Sequence, residues 1–243
     1  MRAAPRVHVD ETGWRSDGKN GWLWALTTPT QTLYHVDKSR GGAVIEKLLL
    51  GNAFGGTLVS DFYSAYSKLD CKKQKCLVHL LRELVETAEK SPAFAAGDFF
   101  QKCKRLVKEM LLLKGRWNEL GDQQYTSRAC RLEDRLDQLA KADYAEAHAR
   151  RIGKRLRKFA KELTAFLWDK DLEGTNNAAE RAIRPMVVSR KISGGSRSEN
   201  GAAAFAKLAS LLRTAGQQGK HLLGTIKSLL MAAWSADNPA VVS

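Results

Sequence analysis

An α/β fold with a mixed sheet and an inserted all-helical module is predicted for this 243-residue chain. Three observations predict it. Strand-like apolar segments crowd residues 1–79, apolar residues at three- and four-residue spacing take over across 80–170, and helical patterns rich in small residues fill 171–243. These ranges form an N-terminal part of the core, a helical insertion, and a C-terminal part of the core that carries the helix of Glu180.

The first strand is Val7-His8-Val9, closed by Asp10. Gly21 to Thr27 reads as a strand buried on both faces, with Trp22, Trp24 and Leu26 on one side and Leu23 and Ala25 on the other. Pro29 turns the chain, and Leu33 to Val36 returns as the antiparallel partner. Ala43 to Leu50 follows as a helix with Val44, Ile45, Leu48 and Leu49 as its buried stripe and Gly51 as its stop. Thr57 to Ser60 is a buried strand ending at Asp61, and Lys73 to Leu77 is a short fifth strand. Placed beside the first strand, the Thr57–Ser60 strand brings Asp10 and Asp61 together where open α/β sheets carry their ligand sites.

Strand signals then vanish. Leu80–Glu89, Phe99–Leu113, Ala129–Leu139 and Ala145–Leu167 read as helices broken by Pro92 and Gly121. The last two helices, Ala202–Ala215 and Leu222–Trp234, show ordinary core-facing stripes. Ser193-Gly194-Gly195-Ser196-Arg197-Ser198 is a turn whose glycines permit backbone amides to approach an anion, with a simple loop as the alternative.

Composition narrows the partner. Forty Lys+Arg against 26 Asp+Glu give a formal charge of +14, which favours a polyanion, and nucleic acid is the commonest one. No apolar run reaches the roughly 20 residues of a membrane span, and no signal-peptide core follows Met1, so a cytoplasmic protein is expected. Cys71, Cys76, Cys103 and Cys130 are too irregularly spaced for a disulfide framework. Cys76 and His79 have ligand-like spacing, but zinc would need two further ligands that no second Cys/His pair supplies.

Negative charge clustered in so basic a chain is tolerable where cations bind, and Asp10, Asp61 and Glu180 are the candidates. Two divalent ions roughly 4 Å apart address the two difficulties of phosphodiester cleavage, a poor nucleophile and a shielded anionic centre. Glu180 also has a structural reading, a capping box with Asn177, and Glu173 and Glu199 are rival third acids. Arg150, Lys154, Arg157 and Lys158 crowd one helix, and Arg181, Arg184, Arg190 and Lys191 lie on the Glu180 helix and the segment after Pro185. Guanidinium forks suit phosphate oxygens, so both groups are candidate nucleic-acid contacts; solvated helix faces are the alternative. A two-carboxylate glycoside hydrolase would leave the +14 charge unexplained.

Five motifs make the reading specific. His8-Val9-Asp10-Glu11-Thr12-Gly13-Trp14, Gly21-Trp22-Leu23-Trp24, Ser60-Asp61-Phe62-Tyr63-Ser64-Ala65-Tyr66, Cys76-Leu77-Val78-His79 and Asn176-Asn177-Ala178-Ala179-Glu180-Arg181-Ala182-Ile183-Arg184-Pro185 together resemble the catalytic domain of bacterial insertion sequence 66 family transposases. The resemblance runs from Arg6 to Leu230 and is weakest through the helical module. It implies an RNase H-like fold with Asp10, Asp61 and Glu180 as the catalytic and metal-binding triad for Mg²⁺ or Mn²⁺, as two ions. It implies DNA cleavage and strand transfer on transposon ends and target DNA, by a homo-oligomer at the bacterial nucleoid. It also maps an accessory Cys-x-x-His element to Cys76 and His79.

Family members carry a substantial N-terminal region that recognises transposon ends, whereas this chain begins nine residues before Asp10. A catalytic-domain fragment or a shortened reading frame is therefore expected. The alternatives are an inactive DNA-binding fragment and a plain metal-dependent nuclease.

Overall fold

The computed structural model describes residues 1–49 and 53–237. Gly51, expected as a helix stop, lies outside the described residues, as does Leu50. The protein is mixed α/β, with a five-stranded mixed sheet in the order Thr32–Asp37, Lys19–Thr27, Arg6–Ser16, Thr57–Ser60, Lys72–Lys75 and, among the described residues, nine α-helices. None of those helices is long and apolar enough to cross a membrane. The chain divides into two compact units, Met1–Phe54 with Asn177–Ser243, and Gly55–Asn176.

In the first unit, β1 (Arg6–Ser16), β2 (Lys19–Thr27) and β3 (Thr32–Asp37) form an antiparallel meander. Asp17 and Gly18, both at positive φ, make the two-residue turn that joins β1 to β2. This turn corrects the expected end of the first strand. Asp10 sits in the middle of β1, paired with Ala25, because the ladder continues to Ser16↔Lys19. Residues 23–27 of β2 are all buried, as their unbroken apolarity requires. Helix α1 (Gly42–Leu49) buries Val44, Ile45 and Leu49.

Helices α7 (Asn177–Ser193) and α8 (Glu199–Gln217) cover this meander. Leu23, Ala25, Tyr34 and Trp14 pack with Ile183, Met186 and Ala206, each fully buried large side chain contributing about 1.5–3 kcal/mol. Pro185 lies inside α7 without ending it, so Arg190 and Lys191 ride on the same helix as Glu180. On β3, Thr32 N–H donates to Thr214 Oγ1 at 3.1 Å and Tyr34 N–H to Ser210 Oγ at 2.8 Å. Side chains of α8 thus take up hydrogen-bonding capacity that an edge strand would offer to another chain. The final helix, α9 (Leu222–Asp237), differs from expectation: Leu222, Leu223, Leu229, Leu230 and Met231 are exposed and form no core-facing stripe.

In the second unit, β4 (Thr57–Ser60) pairs in parallel with β5 (Lys72–Lys75), from Thr57↔Lys72 to Ser60↔Lys75. The link between them contains a 3₁₀ turn, Ser64–Lys68. The helices follow as α2 (Leu77–Lys90), α3 (Pro92–Ala96), α4 (Asp98–Gly115), α5 (Asp122–Lys141) and α6 (Ala147–Thr164). Pro92 acts as a first helical residue, with Ser91 Oγ accepting from Phe94 N–H at 3.3 Å, and Gly121 precedes α5. The apolar stripes converge on one core that includes Leu80, Leu84, Phe94, Cys103, Leu106, Ile152 and Leu156.

Candidate active site

Strand alternation puts Asp10 and Glu11 on opposite faces of the sheet, and the two acids have different surroundings. Glu11 Oε1 accepts from Arg40 Nε at 2.9 Å and Nη2 at 2.8 Å, and its side chain is only 2% exposed. The Arg40 guanidinium also lies 4.4 Å over the Trp22 ring. Glu11 is thus the buried half of an ion pair whose arginine stays in contact with solvent. Asp10 is partly buried, and its Oδ1 accepts the Glu11 N–H at 2.9 Å, which orients the carboxylate.

The register aligns Asp10 with a residue that contacts α7. Asp10, Ala25 and Tyr34 form one row across the three strands, and Tyr34 Oη donates to the Ala182 carbonyl at 2.5 Å. Helix α7 therefore meets that row at its Tyr34 end, two residues after Glu180. The far end of α7 is fixed as well. Arg190 Nη1 donates to Thr12 Oγ1 at 2.9 Å and to the Gly13 carbonyl at 2.7 Å. Beyond the helix, Ser196 N–H donates to Arg15 O at 2.8 Å, Asp17 N–H to Ser196 O at 3.0 Å, and Trp14 Nε1 to Ser196 Oγ at 3.1 Å. Gly195, at φ 120°, allows this approach, because a Cβ there would drive into the Arg15 carbonyl oxygen. The Gly-Gly loop thus brings its backbone against β1.

Asp61 directly follows β4, as expected. Its Oδ1 accepts Tyr63 N–H at 2.8 Å, an Asx turn that holds the carboxylate. Its carbonyl accepts from Lys75 Nζ at 2.9 Å, and the same ammonium donates to Ser60 Oγ at 3.1 Å. Lys75 is fully buried, with Glu162 Oε2 of α6 at 4.0 Å as its counter-charge. Burial pushes its pKa down, while the Glu162 and Asp61 carboxylates oppose the shift. Lys75 escaped the sequence reading because Lys-Lys-Gln-Lys looks like a solvated edge, and its partner Glu162 is remote in sequence.

Cys76 is buried just ahead of α2, and its Sγ accepts the Asn176 N–H at 3.1 Å. His79 lies in the first turn of α2, half-buried.

The expected nucleic-acid contacts divide. Arg181, Arg184 and Lys191 are exposed on α7, whereas Arg190 is bound to β1 as described. On α6, Arg157 donates twice to Ala140 O, and Arg150 donates to Tyr144 O and Ala145 O. Arg151 and Arg155 pair with Glu83 of α2. Carbonyls and one acid from neighbouring segments thus engage four of the arginines of this helix, and Lys154 and Lys158 remain exposed.

The model of the Transposase IS66 family matches residues 1–204. An uncharacterised protein, y4qI of Sinorhizobium fredii, is 28% identical over 265 residues, a match that takes in 95% of this chain and 48% of the relative. The chain thus spans about half the length of that curated relative. No solved structure matches it. With the five motifs lying inside the matched range, the chain belongs to the IS66 family of transposases.

Proposed function

We propose that this chain is the catalytic part of a DNA transposase, with an RNase H-like organisation, that cuts DNA at a transposon end and joins it to target DNA. Asp10, Asp61 and Glu180 serve as its acidic triad. The observation that carries the reading is the Asp10–Ala25–Tyr34 row, whose Tyr34 hydroxyl donates to α7 at Ala182, two residues after Glu180. It supports the reading by tying the strand of Asp10 to the helix of Glu180 through residues that have no part in the chemistry. Family membership and the +14 charge support DNA as the substrate.

The donor set suits Mg²⁺ or Mn²⁺, since three carboxylates supply hard oxygen ligands, and main-chain N–H groups hold those of Asp10 and Asp61 in place. When bound, such ions, two in the full reading, supply water activation and stabilisation of charge on the phosphate. The chain's own residues orient. The Asx turn and the Lys75 clamp fix Asp61, and the exposed Arg181 and Arg184 on the Glu180 helix take phosphate oxygens.

In the first step a water oxygen attacks phosphorus at the transposon end, and the 3′-oxygen leaves as a hydroxyl. In the second, that hydroxyl oxygen attacks a target phosphorus, its proton is lost, and the target's 3′-oxygen departs. Pairing of two ends implies a homo-oligomer on DNA.

The test is a gel assay with labelled DNA and Mg²⁺ or Mn²⁺. Asp10→Ala, Asp61→Ala and Glu180→Ala are each expected to abolish joined product while DNA binding stays measurable. Nicking retained by all three variants would reject the triad, and cleavage without joined product would indicate a plain nuclease.

A further inference from the structure

We propose a second DNA contact in the helical unit, a cleft between α4 and α5 that takes backbone phosphates of a DNA strand; the choice of DNA as the anion rests on the transposase reading. The cleft is an open cavity of about 320 Å³ whose walls include Arg116, Arg128, Arg131, Arg135, Glu109 and Leu112. Neither the triad nor the basic groups on α6 and α7 contribute to it.

Its charge is arranged, not scattered. Arg128, Arg131 and Arg135 follow one another at helical spacing along one flank of α5; Glu133 and Asp137 fall on the other flank, and Asp134 lies three residues from Arg131 on the outward side between them. Arg135 pairs with Glu109, and Arg116 pairs with Glu119. Among the described residues, Arg128 and Arg131 have neither an acid nor a hydrogen-bond acceptor. Like charges three and four residues apart repel on a helix, so the isolated chain carries an electrostatic cost here that a bound anion would remove. Guanidinium forks match phosphate oxygens in pairs, and several forks along one helix suit the repeated phosphates of a strand. Leu112, 69% exposed beside them, offers apolar surface to the sugar.

The experiment is fluorescence anisotropy of a labelled DNA duplex, titrated with the full chain across a range of salt concentrations. Arg128→Ala/Arg131→Ala is expected to weaken binding roughly ten-fold at low salt and to reduce the slope of log K against log salt by about 1.8, the loss of two phosphate contacts. Arg128→Lys/Arg131→Lys keeps the charge without the fork. It should bind with intermediate affinity and the wild-type slope, a pattern that a fold defect would not produce. An alanine double variant with wild-type affinity and slope would overturn the cleft while leaving the transposase reading standing. A wild-type chain that binds no DNA would overturn both.

Discussion

Lys75 Nζ, fully buried, donates to the main-chain carbonyl of Asp61 at 2.9 Å. An ammonium group without solvent is held beside a proposed metal ligand, gripping its backbone while an Asx turn grips its carboxylate. Removing one member of a buried charge pair leaves the other uncompensated. Glu162 is partly solvated, so Lys75→Met is expected to cost about 3 kcal/mol in denaturant unfolding, the low end for such losses. Lys75→Met/Glu162→Gln should recover part of that loss. With Glu162→Gln measured alone to complete the cycle, additive effects of the two substitutions would show that the pair is not coupled.

Gly195→Ala should destabilise the first unit by about 1–3 kcal/mol, through backbone strain at a φ that disfavours side chains. It should also accelerate hydrogen exchange at Ser196 and Asp17, whose N–H groups close the contact with β1. Wild-type exchange at both amides would contradict the assigned role.

Arg190 and Arg184 lie on one helix, yet they should respond differently. Arg190→Met loses two charge-assisted hydrogen bonds to β1 and is expected to cost about 1.5–3 kcal/mol. Arg184→Ala, at an exposed position, should stay within about 0.5 kcal/mol and weaken DNA binding instead. Chemical denaturation and anisotropy separate the two effects.

Burial pushes the Cys103 thiol from its ordinary 9.0 up to about 12. A raised folded-state pKa means that the native thiol holds its proton where the unfolded one loses it. The stabilisation is full below pH 9 and is lost as pH rises to about 12, by at most about 1.4 kcal/mol per pH unit. The stability gap between wild type and Cys103→Ala should therefore narrow across that window. A constant gap would mean that Cys103 is not buried as described.

Much of the fold was legible because its signals are local. The double-faced apolarity of Leu23 to Leu26 and the helical spacing from Leu80 onward correspond to β2 and to the helices of the second unit. The first strand was cut short because Asp10-Glu11 interrupts its apolar run, although Asp17-Gly18 is a strong two-residue hairpin signal that extends the strand past them. Lys75 could not be found from its own neighbours, since its burial depends on Glu162. The α4–α5 cleft was hidden for a similar reason. Acids and arginines are mixed along the sequence of α5, and its three cleft arginines come to one flank only when the chain is wound into a helix.

The central claim is that Asp10, Asp61 and Glu180 bind metal together. A crystal structure of the chain soaked in Mn²⁺, with anomalous differences measured at the manganese edge, tests it most directly. Anomalous density ligated by carboxylate oxygens of all three residues is expected. Absence of density there, with the three carboxylates beyond the reach of a shared ion, would contradict it.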